Sequence, residues 1–163
     1  MKATNLKIAR TLGVAAVSSS LMLMVTPRLS ARGAAHEPDT ATLTVRVTGA
    51  RNTKGKIGIR LFQDAKSFPD HAANAIRQQS VEIDPGTLSA QMIFRDLPRG
   101  VYAASVLHDE NGNGKMDKNL MGVPREGYGA SNNPKKKMRA PTFEEAKFSL
   151  NGAEQTIEIK LIY

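Results

Sequence analysis

The residues best suited to chemistry stand together in one run, Asp109-Glu110-Asn111-Gly112-Asn113-Gly114-Lys115-Met116-Asp117. Oxygen-bearing side chains fall at loop positions 1, 3, 5 and 9 of this run, with glycine at 6. A calcium ion takes about six to eight hard oxygen ligands, and this spacing lets one tight turn supply several of them. Asp109, Asn111 and Asn113 would offer side-chain oxygens, Lys115 its backbone carbonyl, and Asp117 a direct or water-mediated contact. Gly114 permits the sharp turn. Position 12 departs from the pattern, because Leu120 stands where a bidentate Glu belongs. Glu126 would supply that carboxylate if the chain doubles back. With two Asn in place of Asp the site carries little charge, so the expected affinity is weak, roughly 10⁻⁴–10⁻³ M. The competing reading is turn chemistry alone, since Asn-Gly is the strongest hairpin-turn dipeptide and occurs twice in the run.

Residues beside this run complete the candidates. His108 precedes Asp109 and would act as a base, a ligand or, more plainly, a strand-end side chain that holds the loop. An envelope hydrolase acting on a glycan or ester would use His108, Asp109 and Glu126 as acid/base groups. Ser131, in Gly129-Ala130-Ser131-Asn132-Asn133, lacks the glycine-flanked elbow of an α/β hydrolase. The expected roles of His108, Glu126, Tyr128, Ser131 and Asn132 are therefore ligand binding or ordering of the loop, with no catalytic set among them. Lys135, Lys136, Lys137 and Arg139 form a basic run that would make a weak contact with an acidic surface. No aromatic residue is interleaved with it, which argues against nucleic acid.

These candidates must be positioned by strands. Apolar residues alternate through Thr42–Thr48 and again through Lys56–Phe62, the period of a strand with one buried face. The two are expected to form a hairpin across the 49–55 turn. A helical turn or two is expected after Pro69. Short strands follow at Val81–Ile83, Leu88–Phe94 and Val101–His108, the last apolar on both faces and so central. Strand period then disappears from Asp109 to Thr142 and resumes at Glu145–Leu150 and Thr156–Tyr163. The expected fold is all-β: an antiparallel sandwich of about seven strands, transthyretin-like or immunoglobulin-like, with one long ordered loop. So long a loop is usually functional or disordered. Met116, Leu120, Met121, Val123, Tyr128 and Met138 favour order, because they would bury surface if the loop folded back on the sandwich.

The chain has 163 residues. Residues 1–35 read as a signal peptide, with a basic start, an apolar run from Leu12 to Val25 and small residues at Gly33-Ala34-Ala35. Residues 36–40 are a short lead-in, and 41–163 a single domain long enough for one core without staples. The expected product is exported, to the periplasm or beyond, and does not span a membrane after cleavage. The formal charge of +8 is inflated by the leader: without its five basic residues, 18 basic face 15 acidic, a net of +3. That is ordinary for a soluble domain and gives nucleic-acid binding no support. There is no cysteine, hence no disulfide framework and no lipoprotein anchor.

Four segments together carry a resemblance. Phe94-Arg95-Asp96-Leu97-Pro98-Arg99-Gly100-Val101-Tyr102-Ala103 leads into Val106-Leu107-His108-Asp109-Glu110-Asn111-Gly112-Asn113-Gly114. Gly122 to Asn132 and Ala140-Pro141-Thr142-Phe143-Glu144-Glu145-Ala146 follow. The run resembles the bacterial family called domain of unknown function 2141, over nearly all of the chain after the leader. The resemblance implies an exported domain of this length and no particular activity. The Leu-Pro-x-Gly-x-Tyr stretch is also similar to transthyretin-like, carboxypeptidase-regulatory-like sandwiches, which implies a non-catalytic role. The functional expectation is a non-enzymatic binding or structural module of the envelope, taking an envelope component or small ligand. Calcium is its one expected cofactor.

Overall fold

A computed structural model describes residues 39–135 and 139–163, within one compact unit, His36–Tyr163. The expected signal peptide, Lys136, Lys137 and Met138 lie outside the described residues. The described residues form eight strands: β1 (Thr40–Thr48), β2 (Lys56–Phe62), β3 (Arg77–Val81), β4 (Ala90–Pro98), β5 (Gly100–Asp109), β6 (Gly127–Ala130), β7 (Phe148–Leu150) and β8 (Glu154–Lys160). A 3₁₀ turn, Ala72–Asn74, and one helical turn, α1 (Phe143–Ala146), complete the elements. Two sheets result, one ordered β4-β1-β8, the other β3-β2-β5-β6 with β7 also paired to β5.

Alternation places the core between the sheets. Leu43, Val45 and Val47 of β1, Phe94 and Leu97 of β4 and Ile159 of β8 face Ile57, Ile59 and Leu61 of β2 and Tyr102, Ala104 and Val106 of β5. β5 is apolar on both sides because its outer face is covered too, at one end, by a second cluster. Phe62, Phe68, Ala103, Ala130 and Ala146 form it, with Phe62 and Phe68 edge to face at 5.6 Å. Tyr102 is fully buried and donates its hydroxyl to the Pro98 carbonyl, which fixes the β4–β5 corner.

The structure revises several expectations. β1 and β2 are not a hairpin. They lie in different sheets, and β1 pairs antiparallel with β4 and parallel with β8. The 49–55 segment is long enough to cross between sheets, and side-chain period names a strand's buried face, never its neighbour. The expected strand at Glu145–Leu150 is a capped helical turn followed by three strand residues. Thr142 and Glu145 form a reciprocal capping box. The stretch from Asp109 to Thr142 is also not one loop, because β6 divides it. Glycine disguises that strand. A Cβ at Gly127 would sit 2.5 Å from the Tyr163 ring, and one at Gly129 would sit 2.7 Å from Ile159. β6 therefore approaches the end of β8 closely enough that only glycine fits.

Candidate functional site

β5 ends at Asp109 and β6 starts at Gly127, so the candidate loop spans two neighbouring strands of one sheet. Asp109 organises its first half. One carboxylate oxygen accepts the N–H of Gly112 at 2.8 Å and of Asn113 at 3.1 Å, and the other accepts that of Gly114 at 2.8 Å. Asn111 and Asn113 each accept a backbone N–H two residues on, from Asn113 and Lys115. Their amide groups reach Asp117 at 2.6 and 3.1 Å. The side chains of Asp109, Asn111, Asn113 and Asp117 are thus gathered around one turn. Among the described residues, no three of His, Cys, Asp and Glu cluster as metal ligands. Any cation here would rely on the Asn oxygens and the Lys115 carbonyl, as a hard ion accepts.

Glu126 does double back, and its carboxylate turns to the backbone. One oxygen accepts the Glu110 N–H at 2.9 Å and the other the Asp117 N–H at 3.1 Å. The side chain is almost wholly buried and straps both ends of the 110–117 turn.

His108 faces the core side and is fully buried. Nε2 lies 2.9 Å from the Lys54 carbonyl, which only accepts, so Nε2 carries the proton and donates. In the neutral ring Nδ1 then accepts from the Tyr163 hydroxyl at 2.6 Å. That hydroxyl also accepts the Arg51 N–H at 2.9 Å. The Arg51 guanidinium lies over the Tyr163 ring at 4.7 Å and pairs with Glu110 at 2.6 Å. Burial opposes the charged form of Glu110. Hydrogen bonds from Asn52 and Arg51 and the Arg51 charge outweigh it and hold the carboxyl below its ordinary pKa. Burial pushes the Tyr163 phenol up. Arg51, Asn52, Glu110 and Tyr163 are thus partners of the site that sequence reasoning missed. No period or motif marks them, and the pairing of Ile162 with Tyr128 of β6, just beyond β8, brings Tyr163 to His108.

Ser131 is fully buried, accepts the Ala104 N–H at 2.9 Å and donates to the Ala146 carbonyl. Asn132 donates to the Lys147 carbonyl at 2.7 Å. These two hold the chain after β6 against β5 and α1. Arg139 pairs bidentately with Glu145, both contacts at 2.9 Å. The expected hydrolase set, His108, Asp109 and Glu126, has every one of its polar atoms held within the fold.

The loop borders a groove of roughly 1100 Å³ on the outer face of the five-stranded sheet. Its lining includes Arg60, Ser80, Ser105, Leu107 and Tyr128, with Met116 from the loop. The Phe62–Phe68 cluster covers only the other end of that face, which leaves this part open. Tyr128 is half-buried there, and among the described residues its hydroxyl makes no hydrogen bond.

Fold and site together define a small two-sheet β domain with a strapped polar loop beside an open groove. The sequence model of the family described as "Uncharacterized protein conserved in bacteria (DUF2141)" matches residues 45–158, and the chain belongs to that family. No curated protein matches it. Among solved structures, a pilus-presented adhesin, Spy0125 (Cpa), aligns at 16% identity with a TM-score of 0.27. The alignment covers 77% of this chain and only 28% of the adhesin. A likeness this slight carries no argument about function. No helix among the described residues is long and apolar enough to cross a membrane.

Proposed function

We propose that the protein is an exported, non-enzymatic binding module of the cell envelope, holding a small ligand or envelope component in the groove over the outer face of its five-stranded sheet. The observation that carries this reading is the strapped loop. Asp109 and Glu126 spend their carboxylates on backbone N–H groups, which builds a rigid rim beside an open groove with unused polar groups such as the Tyr128 hydroxyl. A hydrolase needs acid and base groups that reach a substrate, and here those groups are committed to holding the loop.

The same loop is a weak calcium site in this proposal, with Asp109, Asn111, Asn113, the Lys115 carbonyl and Asp117 as ligands. A cation entering the turn would replace the Asn amide contacts to Asp117 once both amides rotate their oxygens inward. The test is a thermal-shift titration with calcium and with chelator. For a Kd of roughly 1 mM, about 10 mM calcium adds about 1.4 kcal/mol of stability. Asp117→Asn is expected to abolish the shift. A melting curve that calcium leaves unmoved would remove the metal and leave the groove reading standing. Export is tested by N-terminal sequencing of protein recovered outside the cytoplasm, with His36 as the expected first residue.

A further inference from the structure

Residues Leu120, Met121 and Val123 do not fold back on the sandwich as expected. Their relative exposures are 107%, 84% and 52%. The local chain explains why they project. The Asn119 N–H donates to the Val123 carbonyl, and the Gly122 N–H to the Asn119 carbonyl, each at 2.9 Å. The Asn119 side chain accepts the N–H groups of Met121 and Val123 at 3.0 and 2.9 Å. Lys118 pairs with Pro124 in an isolated bridge, and the Arg125 N–H donates to the Asp117 carbonyl at 2.8 Å. Residues 117–125 are therefore a miniature hairpin, closed by its own backbone and pinned by one asparagine. Its tip is apolar, and no charge stands between Lys118 and Arg125. One or two ladder steps behind the tip come Lys118 and Arg125, with Lys115 just before them. All three are exposed, and none forms an ion pair among the described residues. The nearby carboxylates, Asp117 and Glu126, are tied into the turn.

We propose that this hairpin is a membrane-contact wedge: Leu120, Met121 and Val123 enter the interface of an anionic bilayer while Lys115, Lys118 and Arg125 rest on its headgroups. Contiguous exposed apolar side chains at a projecting tip call for a partner. The cationic collar selects among partners, because apolar residues backed by unpaired cations match a surface that is apolar within and negative at its rim. The tip is already closed by its own hydrogen bonds, so docking orders little new chain. The contact does not require calcium, and the segment that makes it also walls the groove, through Lys115, Lys118, Met121 and Val123. It would bring that wall of the groove to the membrane surface.

The chain has no tryptophan, so Leu120→Trp introduces a single fluorescent reporter. The domain from His36, which contains every residue of the core described above, is mixed with vesicles of phosphatidylcholine alone or with phosphatidylglycerol. The emission of the tip reporter should shift to the blue with the anionic vesicles, and a Thr53→Trp control should not shift. In co-sedimentation, Lys118→Gln should weaken binding about fivefold, and Leu120→Asp or Met121→Asp by about tenfold or more. High salt should remove most of the collar's share. Melting should be unchanged in all these exposed variants. The proposal is overturned by absence of binding, or by binding that survives both apolar changes. It is equally overturned if binding depends on Lys135–Lys137 alone, or if the tip proves to join two copies of the domain, seen as a dimer that Leu120→Asp dissociates.

Discussion

Glu126→Gln keeps the shape of the strap and changes one acceptor into a donor. Both oxygens of the native carboxylate accept a backbone N–H, from Glu110 at 2.9 Å and Asp117 at 3.1 Å. A hydrogen bond to a charged group contributes about 1.5–3 kcal/mol, and a buried donor left unmet costs about 1–3 kcal/mol. Glutamine retains one acceptor and turns its amide against the other N–H. The loss is therefore one charged bond plus part of the cost of an unmet donor, since Asp117 is only half-buried and water can reach it. The expected destabilisation is about 3 kcal/mol, or a fall in Tm of roughly 10 °C for a domain of this size. Urea unfolding measures it, with the m-value unchanged, and amide exchange at Glu110 and Asp117 should accelerate. Glu158→Gln, on an exposed position of β8, serves as the control and should fall within about 0.5 kcal/mol of the parent. A cost for Glu126→Gln no larger than that control, with both amides as protected as before, would refute the assignment of Glu126 as the strap.

The remaining expectations concern the other side of the loop. Gly127→Ala places a methyl 2.5 Å from the Tyr163 ring and should cost about 1–3 kcal/mol. Part of that should be relieved in the double variant with Tyr163→Ala, and strictly additive costs in the cycle would contradict the contact. Glu110 has its pKa lowered on folding from an ordinary 4.5, against burial, by Asn52 and Arg51. Its contribution is therefore whole above the unfolded value and is lost as pH falls from there through the lower folded value. Glu110→Gln should flatten the acid limb of the stability curve over that window, and a limb of unchanged slope would count against the pairing.

How far the fold can be read in advance follows from what periodicity encodes. Leu43, Val45 and Val47 alternate with Thr44 and Arg46, and Ile57, Ile59 and Leu61 alternate with Gly58 and Arg60. Each set declares a buried face, and those residues do fill the space between the sheets. Pairing is another matter. The parallel contact of β1 with β8 joins segments more than a hundred residues apart, and nothing in the local pattern of either names the other. β6 carries no strand signal because two of its four residues are glycine. Glycine reads as loop until a neighbour is known to need the room. The capping box at Thr142 and Glu145 is legible in the residue types, but the apolar alternation of Ala146, Phe148 and Leu150 masks it.

The site is legible in composition and illegible in direction. The Asx and Gly residues from Asp109 to Asp117 do form one compact turn, since each Asx side chain can satisfy a backbone N–H two to five residues on. That local chemistry is written in the residue types. Which way Glu126 and His108 point is decided by partners far along the chain: the N–H groups of residues 110 and 117 for one, the hydroxyl of the final residue for the other. The same reasoning explains the apolar tip. Composition alone makes Leu120, Met121 and Val123 candidates for burial. Asn119 closes the chain around them within five residues. A turn so tight keeps these side chains off the packed core, so they stay exposed, with Met121 and Val123 forming part of the groove wall.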